Sequence, residues 1–205
     1  MATVDWKTLF SSRNMWFLSL MYFCYVYTFW IYLTWMPSYL VESRGFSIVG
    51  SGVGAGLPLL AGAATNALGG WTSDRLSQSR GLRIGRRVPA IAGLLIGAGM
   101  ILPGVLAKNP YLAVASLTLA AAGLEFTTGV SWAVAIDVGE ERAGTVSATM
   151  NMFGNLGGAV SPLVFGVLVD WTGHWSLPFI IASALVVVAA LCWLKIDPER
   201  SVLVR

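Results

Sequence analysis

Charge is what this sequence has least of. Only 11% of its 205 residues are Asp, Glu, Lys or Arg, against about 25% in an ordinary soluble domain. A chain that is 56% hydrophobic, with a mean hydropathy of +0.72, cannot cover its surface with polar groups, which argues against a soluble enzyme. Histidine occurs once, as His174, and cysteine twice, as Cys24 and Cys192, both within apolar runs. That scarcity leaves no disulfide framework and no metal cluster. It also leaves no clustered His and acids, and no Ser beside a base, so a membrane-embedded enzyme lacks its catalytic constellation and no cofactor is implied.

What the sequence does contain is long apolar runs. Bounded by charged residues, they cover about 15–39, 48–68, 88–106, 111–136, 143–169 and 177–194. Each is about 18 residues or longer, enough for a helix to cross the hydrocarbon of a bilayer. The runs lack the alternation of outer-membrane strands. The first is too long for the apolar part of a signal peptide and is followed by no small-residue cleavage site. The expectation is an all-α membrane protein of six transmembrane helices, with a lead-in segment over 1–14, a bundle over 15–194 and a tail over 195–205.

Basic residues are unevenly shared between the two sides of such a bundle. Lys7, Arg13, Arg75, Arg80, Arg83, Arg86, Arg87, Arg142, Lys195, Arg200 and Arg205 fall on the side of the termini, and only Arg44 and Lys108 on the other. The positive-inside rule then puts both termini in the cytoplasm. It also accounts for the net charge of +3 as topology, with no need of nucleic acid.

The segment after the second run reads Gly69-Gly70-Trp71-Thr72-Ser73-Asp74-Arg75, and then Gly85-Arg86-Arg87. The pattern G-x-x-x-D-R followed by G-R-R resembles the signature cytoplasmic loop of the major facilitator superfamily, with a longer insertion between its two parts than the shortest form has. The resemblance implies a conformational latch, in which Asp74 at a helix end and the Arg cluster pair with one another and with helix termini in one state of a transport cycle. Any cytoplasmic loop can hold Arg and Gly, so the bland reading is a solvated loop. Gly70-x-x-x-Asp74 is echoed by Gly166-x-x-x-Asp170 near the end of the fifth run, as two inverted three-helix repeats would require. Leu33-Thr34-Trp35-Met36-Pro37, Gly129-Val130-Ser131-Trp132 and Asn151-Met152-Phe153-Gly154-Asn155 narrow the resemblance to the anion:cation symporter branch, which takes up sugar acids and other organic anions. It covers essentially the whole chain, as the C-terminal six helices of a normally twelve-helix transporter.

Polar residues within the runs are the candidate site. Glu125 lies near the centre of the fourth, where an ionised carboxylate costs about 2.5 to 3.5 kcal/mol. Helical spacing puts Thr128, Gly129 and Trp132 on its face. A carboxyl group kept from water is a candidate proton carrier, and the alternative is a structural Glu that ties two helices together. Asn151 and Asn155 share a face of the fifth run; either can meet a hydrophilic substrate or staple helices. The resemblance implies Asn151, Ser131 and Trp132 as cavity-facing, and leaves Asn155, among Gly154, Gly157 and Gly158, to packing. Tyr22 and Tyr25, three apart on the first run, can line the same cavity, although packing is the commoner role of such aromatics. Trp35 suits an interface belt.

Together these readings describe secondary active transport of a small organic anion, such as a sugar acid, driven by a coupling cation, most simply a proton. The setting is a bacterial inner membrane, and the partner is an N-terminal six-helix half or a second copy. No Lys or Arg lies within a run, so a substrate carboxylate finds no cationic partner in this chain and transport by it alone is not expected. A non-transporting six-helix fragment, or a channel or structural subunit, is the competing reading.

Overall fold

Apolar runs of this length satisfy their backbone N–H and C=O groups internally only as helices, and helices are what the long runs form. The computed structural model describes residues 6–202. Asp5 of the lead-in segment and Arg205 of the tail lie outside the described residues. A short helix α1, Trp6–Ser11, leads into α2, Arg13–Thr34. The single turn α3, Met36–Ser38, and a wide π turn, Tyr39–Ser43, carry the chain to α4, Ile48–Arg80. Four helices follow: α5, Leu82–Leu106; α6, Pro110–Gly139; α7, Ala143–Thr172; and α8, Ser176–Trp193. Among the described residues there is no strand.

Local chemistry sets the helix ends. Ser47 caps α4 by accepting from the Gly50 N–H at 3.1 Å, and Asn109 caps α6 by accepting from Tyr111 and Leu112, with Pro110 in the first position, where it needs no donor. The last carbonyls of α5 are gathered by Arg44, whose guanidinium donates to Val105 and Ala107 at 2.6 Å each. A cation at a helix C-terminus also opposes the negative end of its dipole. The helical stretch Pro110–Thr172, 63 residues long, is divided at Glu140, a non-glycine residue with φ of +46°.

Five continuous helical stretches are long and apolar enough to cross a membrane. Helix α4 is longer than the run that announced it, because charge marks where the hydrocarbon ends and not where a helix ends. Its 33 residues rise about 50 Å, well beyond a hydrocarbon core of about 30 Å. The expected loop between the second and third runs is therefore two helix ends meeting at Gly81, whose φ of +85° makes the corner.

Helix α2 packs against α7 and α8, α6 against α4 and α5, and α5 against α8. Hydroxyls fasten these contacts to backbone carbonyls: Ser183 donates to Ala98 at 3.0 Å and Thr127 to Ala90 at 3.2 Å. Such bonds between membrane helices contribute about 0.6 kcal/mol each. At one end of α2 the half-buried Trp35 stacks on Phe165 with ring centres 5.0 Å apart and donates its indole N–H to the Pro162 carbonyl at 3.1 Å. Large apolar side chains such as Leu60, Leu163 and Trp171 face outward, as lipid contact requires.

Candidate functional site

Glu125 is 9% exposed, on α6 where that helix faces α2 and α4. Two neutral donors hold its carboxylate: the Tyr25 hydroxyl from α2 at 2.5 Å and the Asn66 amide from α4 at 3.2 Å. No cation forms an ion pair with it among the described residues. Thr128, one turn along α6, donates to the Tyr25 oxygen at 2.6 Å, so that oxygen accepts one bond and gives another. Helix α4 comes this close because residue 62 is glycine: a Cβ there would stand 2.6 Å from the Glu125 Cγ. Beside this group the Trp132 indole donates to the Tyr22 hydroxyl at 3.0 Å, and the Tyr22 and Tyr25 rings lie 5.4 Å apart.

Of the residues singled out in the sequence, Tyr22, Tyr25, Glu125 and Trp132 thus come together. Ser131 does not join them. It is 1% exposed and donates to the Thr127 carbonyl on its own helix. At about 100° per residue it lies some 240° round α6 from Glu125. Asn151 is half-buried on α7, its main-chain carbonyl accepting the Asn155 amide at 3.0 Å. Its side chain makes no hydrogen bond to this cluster among the described residues.

At one end of the bundle the second motif forms a separate polar site centred on Arg86, which is 8% exposed. Its guanidinium reaches Asp74 on α4 at 2.6 Å and Asp137 on α6 at 2.8 Å, and donates to the Ser73 hydroxyl at 3.0 Å. Three helices are joined through one cation. Asp74 does this from within α4, which continues six residues past it, and not from a helix end. Arg87 donates to the Ile196 carbonyl at 2.8 Å. Arg75 pairs with no carboxylate among the described residues and lies over the Trp71 ring, 5.3 Å from its centre. Gly85 has to be small, since a Cβ would run into Ser77, and Gly69 likewise faces the Phe126 carbonyl. At Gly70 a Cβ would meet nothing within 4 Å.

The sequence model of the Major Facilitator Superfamily matches residues 2–162 and, in a second overlapping match, 79–205. The chain belongs to this superfamily. Its members are transporters, not enzymes, and span the membrane several times. A probable sulfoacetate transporter, SauU, of Cupriavidus necator is 40% identical over 202 residues, covering 98% of this chain and 46% of that protein. A probable galactarate/D-glucarate transporter, GudP, of Bacillus subtilis is 33% identical over 202 residues, or 97% and 44% of the two chains. The chain thus spans about half the length of the curated relatives it matches. Among solved structures, the E. coli fucose:proton symporter FucP superposes with a TM-score of 0.80 at 18% identity, over 93% of this chain and 44% of its own. The fold is that of a superfamily transporter over that share of its length.

Two partners in these sites escaped the sequence reading. Asn66 was legible as an amide within an apolar run, a costly placement that asks for a partner. Asp137 was passed over as the acid that closes the fourth run, and only the crossing of α4, α5 and α6 shows that Arg86 has two acids to hold.

Proposed function

We propose that this chain is the C-terminal six-helix half of a proton-coupled transporter for a small organic anion. The observation that carries the reading is the buried carboxyl group of Glu125, held between three helices by neutral donors alone. A carboxyl with no cation to keep it ionised can take up and release a proton as water reaches it. Glu125 is the proton-coupling residue in this proposal. Tyr22, Tyr25 and Trp132 form the cavity wall beside it, and Asn151 on α7 and Ser131, further round α6, are the remaining substrate contacts in this proposal. Gly70, Asp74, Arg75, Gly85, Arg86 and Arg87 form the latch, with Arg86 as the group that pairs and releases.

The helices α2, α4 and α5 form one repeat and α6, α7 and α8 the other, crossing the membrane six times with both termini in the cytoplasm of a bacterial cell. In support, exchanging the repeats maps the packing of α4 on α6 onto that of α7 on α2, and the packing of α5 on α8 onto itself. Relatives named for sulfoacetate, galactarate or glucarate, and hexuronate define the substrate class, small carboxylate or sulfonate anions rich in oxygen. The anion's charge is met by a second six-helix half or a second copy, since this half has no cation within its membrane-spanning runs.

The test is uptake of radiolabelled sulfoacetate, glucarate and a hexuronate into proteoliposomes under an inward proton gradient. The 205-residue chain is reconstituted alone and together with the first six helices of the C. necator relative. Uptake only in the combined vesicles supports the proposal. Uptake by the chain alone at the same rate, or in neither preparation, counts against it.

A further inference from the structure

The hydroxyls at the interior bridge form a chain with a direction. Thr128 donates to the Tyr25 oxygen at 2.6 Å, and Tyr25 donates to Glu125 Oε1 at 2.5 Å. A Ser or Thr within a helix commonly gives its hydrogen to a carbonyl one turn back. On α6 Ser131 does so, to Thr127 at 2.9 Å, and Thr127 gives its own to the Ala90 carbonyl of α5. Thr128 turns its hydrogen instead to a side chain of α2.

The chain runs inward from the open side of α6. Thr128 is half-buried, beside the half-buried Gly129 and the 37% exposed Trp132, whereas Tyr25 is 4% exposed and Glu125 9%. A hydroxyl has one hydrogen to give and lone pairs to accept another, so it can pass a proton on. The other carboxyl oxygen, Oε2, is closed by the Asn66 amide at 3.2 Å. An amide nitrogen only donates and cannot take up one proton as it hands on another. Tyr22, the other titratable side chain beside this group, takes the Trp132 N–H at 3.0 Å and stands outside the chain. The charged residues of the remaining helices packed on α6 lie toward helix ends: Asp74, Arg75 and Arg80 on α4, Arg83, Arg86 and Arg87 on α5, and Asp170 on α7.

We propose that Thr128 and Tyr25 are a two-hydroxyl relay that carries protons between the open side of α6 and the Glu125 carboxylate. This deepens the proposed function and rests on Glu125 being the group that takes the proton. A hydronium ion at Thr128 gives a proton to the Thr128 oxygen, the Thr128 hydrogen moves to the Tyr25 oxygen, and the Tyr25 hydrogen moves to Glu125 Oε1. Each hydroxyl breaks one O–H bond and forms one, the hydronium is left as water, and the carboxylate becomes the acid. The two hydrogen bonds then run from Glu125 to Tyr25 to Thr128, and release is the reverse.

The experiment places the 205-residue chain in lipid vesicles over a series of acidic pH values, mixes it rapidly into D2O, and follows the carboxylic-acid C=O stretch by infrared spectroscopy. The band that Glu125→Gln removes belongs to Glu125, and its isotope shift times the arrival of a deuteron. Thr128→Val keeps the shape and loses the hydroxyl; its shift is expected to be about tenfold slower, with the pH midpoint of the band as in the wild type. Thr128→Ser should restore the rate. Tyr25→Phe is the second variant should Thr128→Val fail to fold by circular dichroism, and should slow the shift as well. An equal rate in wild type and Thr128→Val, including exchange complete within mixing in both, overturns the relay and leaves Glu125 as a proton carrier. A rate that falls only together with a moved midpoint assigns the hydroxyl to tuning the acid and also overturns it. If no band disappears in Glu125→Gln at any pH at which the chain stays folded, Glu125 takes no proton, and the proposed coupling role fails before the relay does.

Discussion

Helices α4 and α6 are bridged twice, by different chemistry at different depths. At Glu125 an acid meets only neutral donors, Tyr25 and Asn66, in the interior. At Arg86 a cation sits between two acids, Asp74 and Asp137, at an end of the bundle where the Asp74 side chain is 61% exposed. An ion pair needs both charges kept, and water at its edge lowers the penalty for keeping them. At Glu125 each carboxyl oxygen accepts from a neutral donor, so the group is held by dipoles and not by a counter-charge. The first bridge holds an acid by dipoles alone, and the second sets opposite charges against each other.

The largest effect that would break this contrast is expected at Arg86. Arg86→Ala leaves Asp74 and Asp137 facing each other without a counter-charge. Breaking a buried pair costs about 3–5 kcal/mol, but exposure of Asp74 reduces this to about 2 kcal/mol here. Thermal unfolding in detergent, followed by circular dichroism, measures it. Within the pair, Asp137→Asn should destabilise more than Asp74→Asn, because the Asp137 side chain is 22% exposed against 61%. Equal shifts would mean that the two acids share Arg86 evenly.

How far these sites were legible in the sequence follows from the same residues. Glu125 stood out because a charged residue within an apolar run is costly, and the spacing along α6 correctly brought Thr128 and Trp132 to its face. Tyr22 and Tyr25 could be named as candidates, but which hydroxyl meets the carboxyl depends on how α2 crosses α6, and no single helix encodes a crossing. Asn66 carried the same signal as Glu125 at lower cost, and without a charge to mark it went unread. Ser131 was named from the resemblance alone, since its phase on α6 differs from that of Glu125. Apolar runs report the thickness of the lipid and not the length of a helix: α4 continues through Asp74 to Arg80 because nothing in that stretch opposes a helix.

Smaller effects should separate the roles at the interior bridge. Gly62→Ala brings a methyl group against the Glu125 Cγ and should cost about 1–3 kcal/mol, as overpacking does. Tyr25→Phe removes the donor to Glu125 and the acceptor for Thr128, for about 1–2 kcal/mol. Glu125→Gln keeps the shape but turns one acceptor oxygen into a donor, and should cost about 1 kcal/mol or less, since the Asn66 amide can turn to offer its oxygen. A large loss in that variant would assign Glu125 a structural role as an ionised staple.

Whether Glu125 carries the coupled proton is decided by the pH dependence of anion uptake in proteoliposomes holding this chain and an N-terminal half. Wild-type uptake should rise with an inward proton gradient, and Glu125→Gln should abolish that rise while leaving exchange of labelled for unlabelled anion across the vesicle. An unchanged response to the gradient in the Gln variant would rule out Glu125 as the coupling residue.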